Sequence, residues 1–468
     1  GVLQIVEGLK AFDIVPNEGV SSETEEIGKY GPYKQSERKD IYEAYAKSLI
    51  KQGLAYPCFC TPEELEEIRA KQEAAKIRPG YYGVWAKYRT LPIDEAAERI
   101  KNGEHYIIRF KSQGREDRRI KHKDCIKGNI EFPENDQDIV IIKADGLPTY
   151  HFAHAVDDHL MRVTHVIRGD EWVSSLPLHL ELFRALGFKP PKYAHTATIM
   201  KDENGSKRKI SKRKDPEAAV SYYHEQGIPA DAVVEYLLNI ANSSFEPWRR
   251  GNPDKDISEF ELQLNKMSVS GAVFDMVKLL DVSKNVISKY SAEKIYEETL
   301  KWASKYDSEL EKLLSENKEY SIKVLNIERG KAKPRKDIAK WSDVKEIIRY
   351  MYEEEYNKMN EYEFQKIDDR EEIKDILNSY IENHFDIFDD KDTWFNKMKD
   401  LSESKDYARE VKAYKQEPEK YKGHVGDIST VIRVALTTKC NTPDLYEIMQ
   451  VLGENVVRDR IKRFTNKD

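Results

Sequence analysis

The residues with the most chemical potential form one short basic segment, Lys209-Ile210-Ser211-Lys212-Arg213, inside the run KDENGSKRKISKRKD that starts at Lys201. Seven of the fourteen residues from Lys201 to Lys214 are Lys or Arg, so the positive charge is concentrated rather than scattered. Gly205 and Ser206 sit mid-run, and the run is expected to begin as a flexible loop. Asp215-Pro216-Glu217 then reads as a helix start, with an N-cap carboxylate, Pro at the first position and an acid in the first turn. Mobile ammonium groups on a loop anchored to a helix suit a polyphosphate. Lys is a compact charge on a long stem, and charge stabilisation dominates phosphoryl and nucleotidyl transfer. A solvated basic loop gives the same pattern, and five residues alone do not separate the two.

The elements that must position this segment lie just upstream. Thr149 to Ala155 and Val163 to Arg168 read as short buried strands. A helix from about Ser174 to Leu186 stops at Gly187, and Tyr193 to Met200 is a further strand feeding the basic run. A β–α–β order ending in a functional loop is the pattern of a doubly wound α/β domain, whose sites form at the carboxyl ends of strands. Arg168, at a strand end before the Gly169 turn, can engage a carboxylate bidentately; a structural ion pair is the alternative. Asp157-Asp158-His159, and six of the eleven histidines falling between 151 and 195, raise a metal reading. Adjacent acids on a strand point to opposite faces and the spacing matches no closed N/S site, so no protein-held metal is expected.

The chain's 468 residues allow two to four domains with real cores. A cytoplasmic protein is expected. Charged residues make up 34 %, no apolar run is long enough for a bilayer, no signal peptide is read, and four cysteines (Cys58, Cys60, Cys125, Cys440) are too few for a disulfide framework. The net charge of −7 does not advertise a nucleic-acid partner, but basic residues gather locally at 207–214 and 329–336. Residues 2–12 read as a helix, and Ile41 to Ile50 as another closed by Gly53. Thr61, Pro62 and Glu64 form a capping box opening a helix to about Ala75. From Pro79 to Lys143, short β-like runs (His105 to Phe110, Ile139 to Lys143) suggest an inserted module. Beyond Pro216 the pattern is helical nearly throughout, with Thr442 expected to cap a late helix that has Pro443 at its first position. Arg329, Lys331, Lys333, Arg335 and Lys336, around Gly330 and Pro334, form a basic elbow suited to RNA phosphates, with Trp341 near enough for base stacking; a solvated interhelical loop is the alternative.

The order YHFAHAVDDHLM, VIRGDEW, KISKR, together with GPYKQSER, CFCTPEEL, GAVFDMVKL and IRVALT…PDLYEIMQVLG, resembles the bacterial-type glutamyl-tRNA synthetases of class I across essentially the whole chain. The resemblance implies α/β plus all-α architecture: a class I Rossmann-like catalytic domain with an α/β insertion, followed by helical stem-contact and anticodon-binding domains. The expected boundaries are 1–57 and 144–215 for the two parts of the catalytic domain, 58–143 for an inserted acceptor-arm module, 216–288 for the stem contact and 289–468 for the anticodon domain. It implies ATP with Mg²⁺, L-glutamate and tRNA-Glu as substrates and partners, and a monomer with no membrane partner.

By the same resemblance Tyr150, His154 and Arg168 would bind glutamate, with His154 standing where Asn is expected in many relatives. Glu171 would contact the adenosine of ATP, Lys209 and Lys212 its phosphates, and Ser211 would orient the loop. Arg329, Lys333, Arg335 and Lys336 would bind tRNA. Cys58-x-Cys60 matches a position where some relatives bind structural zinc, but the region of the further ligands reads GYYGVWAKYR, so no zinc is expected.

The His-Ile-Gly-His-like signature of class I is expected before Gly1, and residues 1–468 by themselves are expected to bind tRNA without forming adenylate. Two other readings stay open on sequence: a glutaminyl-tRNA synthetase-like enzyme and a non-catalytic tRNA-binding paralogue. Arg168 and the helical tail stand against the first, and what precedes Gly1 decides the second.

Overall fold

A computed structural model describes residues 2–466. The chain forms two compact units, one of residues 1–215 and 237–274, the other of 216–236 and 275–468. The stretch 216–288, expected as one helical module, therefore contributes to both.

In the first unit, α1 (Val2–Lys10) precedes α2 (Lys39–Lys51), β1 (Ala55–Cys58) and α3 (Pro62–Ala74). α3 opens on the expected capping box: Thr61 accepts from the Glu64 N–H while the Glu64 side chain accepts from the Thr61 N–H. β2 (Ile107–Phe110) lies between β1 and a later strand, and all pairings in that sheet are antiparallel. β3 (Arg119–Asp124) and β4 (Gly128–Pro133) form a separate hairpin, and β5 (Val140–Ile142) completes the three-stranded sheet. The core of this part joins Tyr42 and Leu49 of α2 to Phe110, Ile141 and residues of the two helices that follow.

The first of these, α5 once α4 (Ile93–Lys101) is counted, spans Tyr150–Leu160. This corrects the expectation of a buried strand at Thr149–Ala155: Phe152, Ala153, Ala155 and Val156 turn into the core on one helical face. Asp157 and Asp158 consequently do not alternate across a strand. Asp157 instead accepts from Arg38 Nε at 2.9 Å and from Tyr42 Oη at 2.6 Å, tying α5 to α2 and to the residue just before it. Arg38→Leu is expected to cost about 3 kcal/mol, because the charge on Asp157 loses its cation in a largely buried setting. A fall in the melting temperature checks this, with substrate affinities held.

β6 (His165–Gly169) and β7 (Lys192–Thr196) pair in parallel, with α6 (Leu176–Ala185) crossing between them. This is the β–α–β unit read from the sequence, although β6, expected as a buried strand, is exposed or half-buried along its length. After β7 the chain makes a second hairpin, β8 (Met200–Glu203) and β9 (Ser206–Lys209). The run at Gly205-Ser206 is thus not a flexible loop. Asn204 and Gly205 both take positive φ (57° and 83°), the two-residue turn that matches strand twist. The second unit is helical, with one continuous core running from Ile287 to Phe464.

Candidate functional site

The parallel pair ends at Gly169 and Thr196, and the residues singled out by sequence meet at those carboxyl ends. The Glu171 carboxylate folds back over Gly169, where it would meet an added Cβ, and being the end of a flexible, half-exposed side chain it is free to swing away. Glu171 Oε2 is 3.8 Å from Lys209 Nζ, so the turn after β6 and the end of β9 face each other. Asp170 anchors the same turn, accepting from Thr198 Oγ1 at 3.0 Å and Lys127 Nζ at 3.3 Å.

Beyond β9 the basic segment is a turn folded around one acid. Asp215 is 1 % exposed; it accepts from Arg208 Nη1 and Nη2 at 2.6 and 2.7 Å and from the Ser211 N–H at 2.9 Å, with Lys201 Nζ 3.2 Å away. The Arg208 fork holds its carboxyl far below the ordinary range. The expected helix start is found, since a 3-10 turn opens at Pro216 (Pro216–Ala218) ahead of the α-helix at Val220, but the N-cap role is corrected: the Asp215 carboxylate turns back to Arg208 and Ser211 and latches the KISKR turn. Ser211 participates through its backbone. Lys212, Arg213 and Lys214 are exposed, and Lys212 carries no ion pair among the described residues. The cations are thereby sorted into Arg208 and Lys201, which hold the turn, and Lys209 and Lys212, which project from it.

Arg168 sits at the other side of the turn. Its Nε donates to His195 Nε2 at 3.0 Å, Nη1 to His179 Nδ1 at 3.1 Å and Nη2 to the Trp172 carbonyl at 3.4 Å. Its guanidinium lies 5.0 Å from the ring centre of Tyr193. Three of its five N–H groups are used, and none goes to a carboxylate. The structural ion-pair alternative is thus not what the geometry shows. His179 and His195 are both held below their ordinary range by burial, with Arg168 adding to the effect, so both stand as neutral acceptors. Tyr150 is exposed, with its ring 4.3 Å from that of Trp172 and parallel to His154 at 5.8 Å. His154 itself is buried beneath Tyr150, with Nε2 2.9 Å from the Tyr193 hydroxyl and Nδ1 3.0 Å from Asp158.

Sequence reasoning did not single out His179, His195, Asp124 or Asp215 in these roles. The crowd of histidines between 151 and 195 is the one available signal; it raises a metal reading that the spacing does not support, and nothing in it announces an arginine cage. Cys58 is buried with Sγ 3.3 Å from the Tyr81 hydroxyl, and burial beside Cys58 pushes the Cys60 thiol up to about 11. Among the described residues no three His, Cys, Asp or Glu side chains are grouped to hold a metal ion.

In the helical unit the basic elbow is only partly at the surface. Arg329 is buried, its Nε donating to the Leu325 carbonyl at 2.7 Å, and burial pushes its guanidinium down to about 10. The Arg335 side chain is 7 % exposed and pairs with Asp337 at 2.8 Å. Trp341 is buried, which removes it as a stacking platform. Lys333 is exposed, and so is Lys336, with its Nζ 2.6 Å from Asn285 Oδ1. Beside the elbow lies a cavity of about 410 Å³ whose lining mixes Arg335, Lys439 and Asn441 with the carboxylates of Glu328, Asp337 and Glu346. Thr442 does not cap the helix that follows; Asp444 does, by accepting from Glu447 N–H, while Thr442 accepts from Arg433 Nη1.

A family model described as tRNA synthetases class I (E and Q), catalytic domain, matches residues 1–279, and one described as an anticodon binding domain matches 294–465. A glutamate–tRNA ligase of Clostridium perfringens is 54 % identical over 461 residues, covering 98 % of this chain and 83 % of that protein. One of Acetivibrio thermocellus is 50 % identical, with 98 % and 83 % covered. The crystal structure of a glutamate tRNA ligase from Elizabethkingia meningosepticum, in complex with its amino acid, superposes with a TM-score of 0.73 at 25 % identity, over 98 % of this chain and 88 % of that one.

Proposed function

Because the chain belongs to the glutamate–tRNA ligase family of class I tRNA synthetases, we propose that it activates L-glutamate with ATP at the face between Arg168 and Lys212 and transfers it to the 3′ end of tRNA-Glu. The observation that carries the amino acid is the Arg168 guanidinium, whose side-chain partners are neutral rings. Its positive charge and its remaining N–H groups are left for the side-chain carboxylate of the substrate. Tyr150 borders the same pocket, and His154 supports it from below.

In the first step an α-carboxylate oxygen of glutamate attacks the α-phosphorus of ATP, the bond to the β-phosphate oxygen breaks, and pyrophosphate leaves; no proton moves. Lys209 and Lys212 hold the triphosphate, which arrives as its Mg²⁺ complex, and stabilise the charge gathering on pyrophosphate. The Ser211 backbone, bonded to Asp215, fixes the turn from which they project. Glu171, beside Lys209, takes the adenosine part. In the second step a hydroxyl of the terminal ribose attacks the activated carbonyl, AMP departs, and the hydroxyl proton leaves with it. No side-chain nucleophile is needed; positioning and electrostatics supply the rate. Pyrophosphate exchange by the full native protein, with tRNA present, tests this: exchange should require glutamate, and exchange that runs equally with glutamine would overturn the reading.

For tRNA, residues 58–143 serve the acceptor arm and the helical unit the anticodon. Lys333 and Lys336, rather than the buried Arg329, meet phosphates, and the cavity beside them offers polar groups to an unstacked base. Lys333→Glu with Lys336→Glu should weaken tRNA binding and reduce the slope of log affinity against log salt by roughly 1.5. Filter binding across a salt series measures both; an unchanged slope would remove these lysines from the interface. In this reading the protein works in the cytoplasm as a monomer without structural zinc. Its cysteines are free, and among the described residues no helix is long and apolar enough to cross a membrane.

A further inference from the structure

The geometry points to Asp124 as a positioning residue for glutamate selection: through His195 it sets the imidazole tautomer that aims the Arg168 guanidinium. The inference rests on Arg168 as the receiver of the substrate's side-chain carboxylate. Arg168 Nε–H needs a lone pair on His195 Nε2, 3.0 Å away. A neutral imidazole has one there only when its proton sits on Nδ1. His195 Nδ1 is 2.7 Å from Asp124 Oδ2, and both side chains are wholly buried. An ionised carboxylate only accepts, so it holds the proton on Nδ1.

Asp124 is itself fixed, accepting from the N–H groups of Ile126 and Lys127 at 2.9 Å each and more distantly from the His195 N–H. Those bonds, with the imidazole, keep its carboxyl below the ordinary range although burial opposes its charge. It stands at the end of β3, on the hairpin that docks against β7 through the Cys125 N–H bond to the Tyr193 carbonyl (2.8 Å). The other side of the guanidinium follows the same logic. His179 Nδ1 accepts from Nη1, which leaves the His179 proton on Nε2, directed at His151 Nδ1 2.9 Å away.

The physical gain lies in the kind of acceptor. An Asp or Glu touching Arg168 would orient it equally well but would take its charge. Two neutral imidazoles orient it and leave that charge for the ligand, while the carboxylate that sets the tautomer stays one ring away. Such an outer partner of a ligand-orienting histidine is worth roughly tenfold or more in affinity when removed from metal sites, and a similar effect is expected here.

Asp124→Asn in the full native protein is the test, by pyrophosphate exchange and by ¹⁵N NMR of labelled histidine. The glutamate KM should rise roughly tenfold, with the ATP KM and kcat within about twofold. In a His195→Gln background, where the ring is gone, Asp124→Asn should add less than about twofold. The NMR spectrum should show His195 protonated on Nδ1 in the native chain and shifted toward the Nε2 tautomer in Asp124→Asn. Equal losses for glutamate and ATP, additive losses in the double variant, or an unchanged tautomer would each overturn the relay. The tautomer is read without any substrate, so failure of the relay is told apart from failure of the glutamate reading, which would show as no glutamate-dependent exchange in the native chain.

Discussion

Lys212→Ala lowers the rate of adenylate formation by roughly 10²–10³-fold, the effect of deleting one charge-stabilising group aimed at a departing oxyanion. The melting temperature stays where it was. Both expectations come from the way the KISKR turn divides its labour. Asp215 gathers the Arg208 fork, the Ser211 N–H and the Lys201 ammonium, and so carries the fold of the turn. Lys212 is exposed, and no ion pair among the described residues holds it, so its removal leaves the turn intact. Lys212→Arg should recover part of the rate, since the charge returns on a bulkier head. Pyrophosphate exchange at saturating glutamate measures the loss; a rate within threefold of the native protein would take Lys212 out of the chemistry.

Arg168→Gln should raise the glutamate KM by roughly 10²-fold, because a desolvated carboxylate loses a charged, two-pronged donor worth about 3 kcal/mol. The ATP KM should move little, since Lys209 and Lys212 reach the triphosphate from a different element. Glutamine, which brings no charge to the pocket, should lose much less, so the preference for the acid narrows. Steady-state exchange with each amino acid gives the comparison. Equal losses for glutamate and ATP would mean that Arg168 holds the β6 turn rather than the substrate.

The parts of this site that the sequence disclosed are those written in local pattern. The β–α–β order from His165 to Thr196 follows from apolar runs, the Gly187 stop and a helix of ordinary length. The α3 capping box follows from Thr61, Pro62 and Glu64. α5 is ambiguous in the sequence because Phe152, Ala153, Ala155 and Val156 form a short apolar run that fits a strand or a helix, and periodicity cannot arbitrate so few residues. The β8–β9 hairpin is legible in principle, since Asn204-Gly205 is a strong two-residue hairpin signal, but the charged residues around it lack the apolar alternation that marks a strand.

What the sequence could not disclose is which charges turn inward. Asp215 looks like a helix cap because Pro216 follows it, yet the Arg208 fork seven residues earlier claims it. Arg329 and Arg335 look like Lys333 and Lys336 in a basic run, but the first two are buried. Asp124 reaches His195 across 71 residues, a contact that no local spacing announces.

The most direct measurement is the identity of the product. The full native protein, given ATP, tRNA-Glu and an equimolar mixture of glutamate and glutamine, should yield glutamyl-tRNA as the dominant adduct by mass, with Arg168→Gln reducing that adduct far more than it reduces ATP binding. A glutaminyl adduct in equal or greater amount, or tRNA that binds and remains uncharged, would contradict the account.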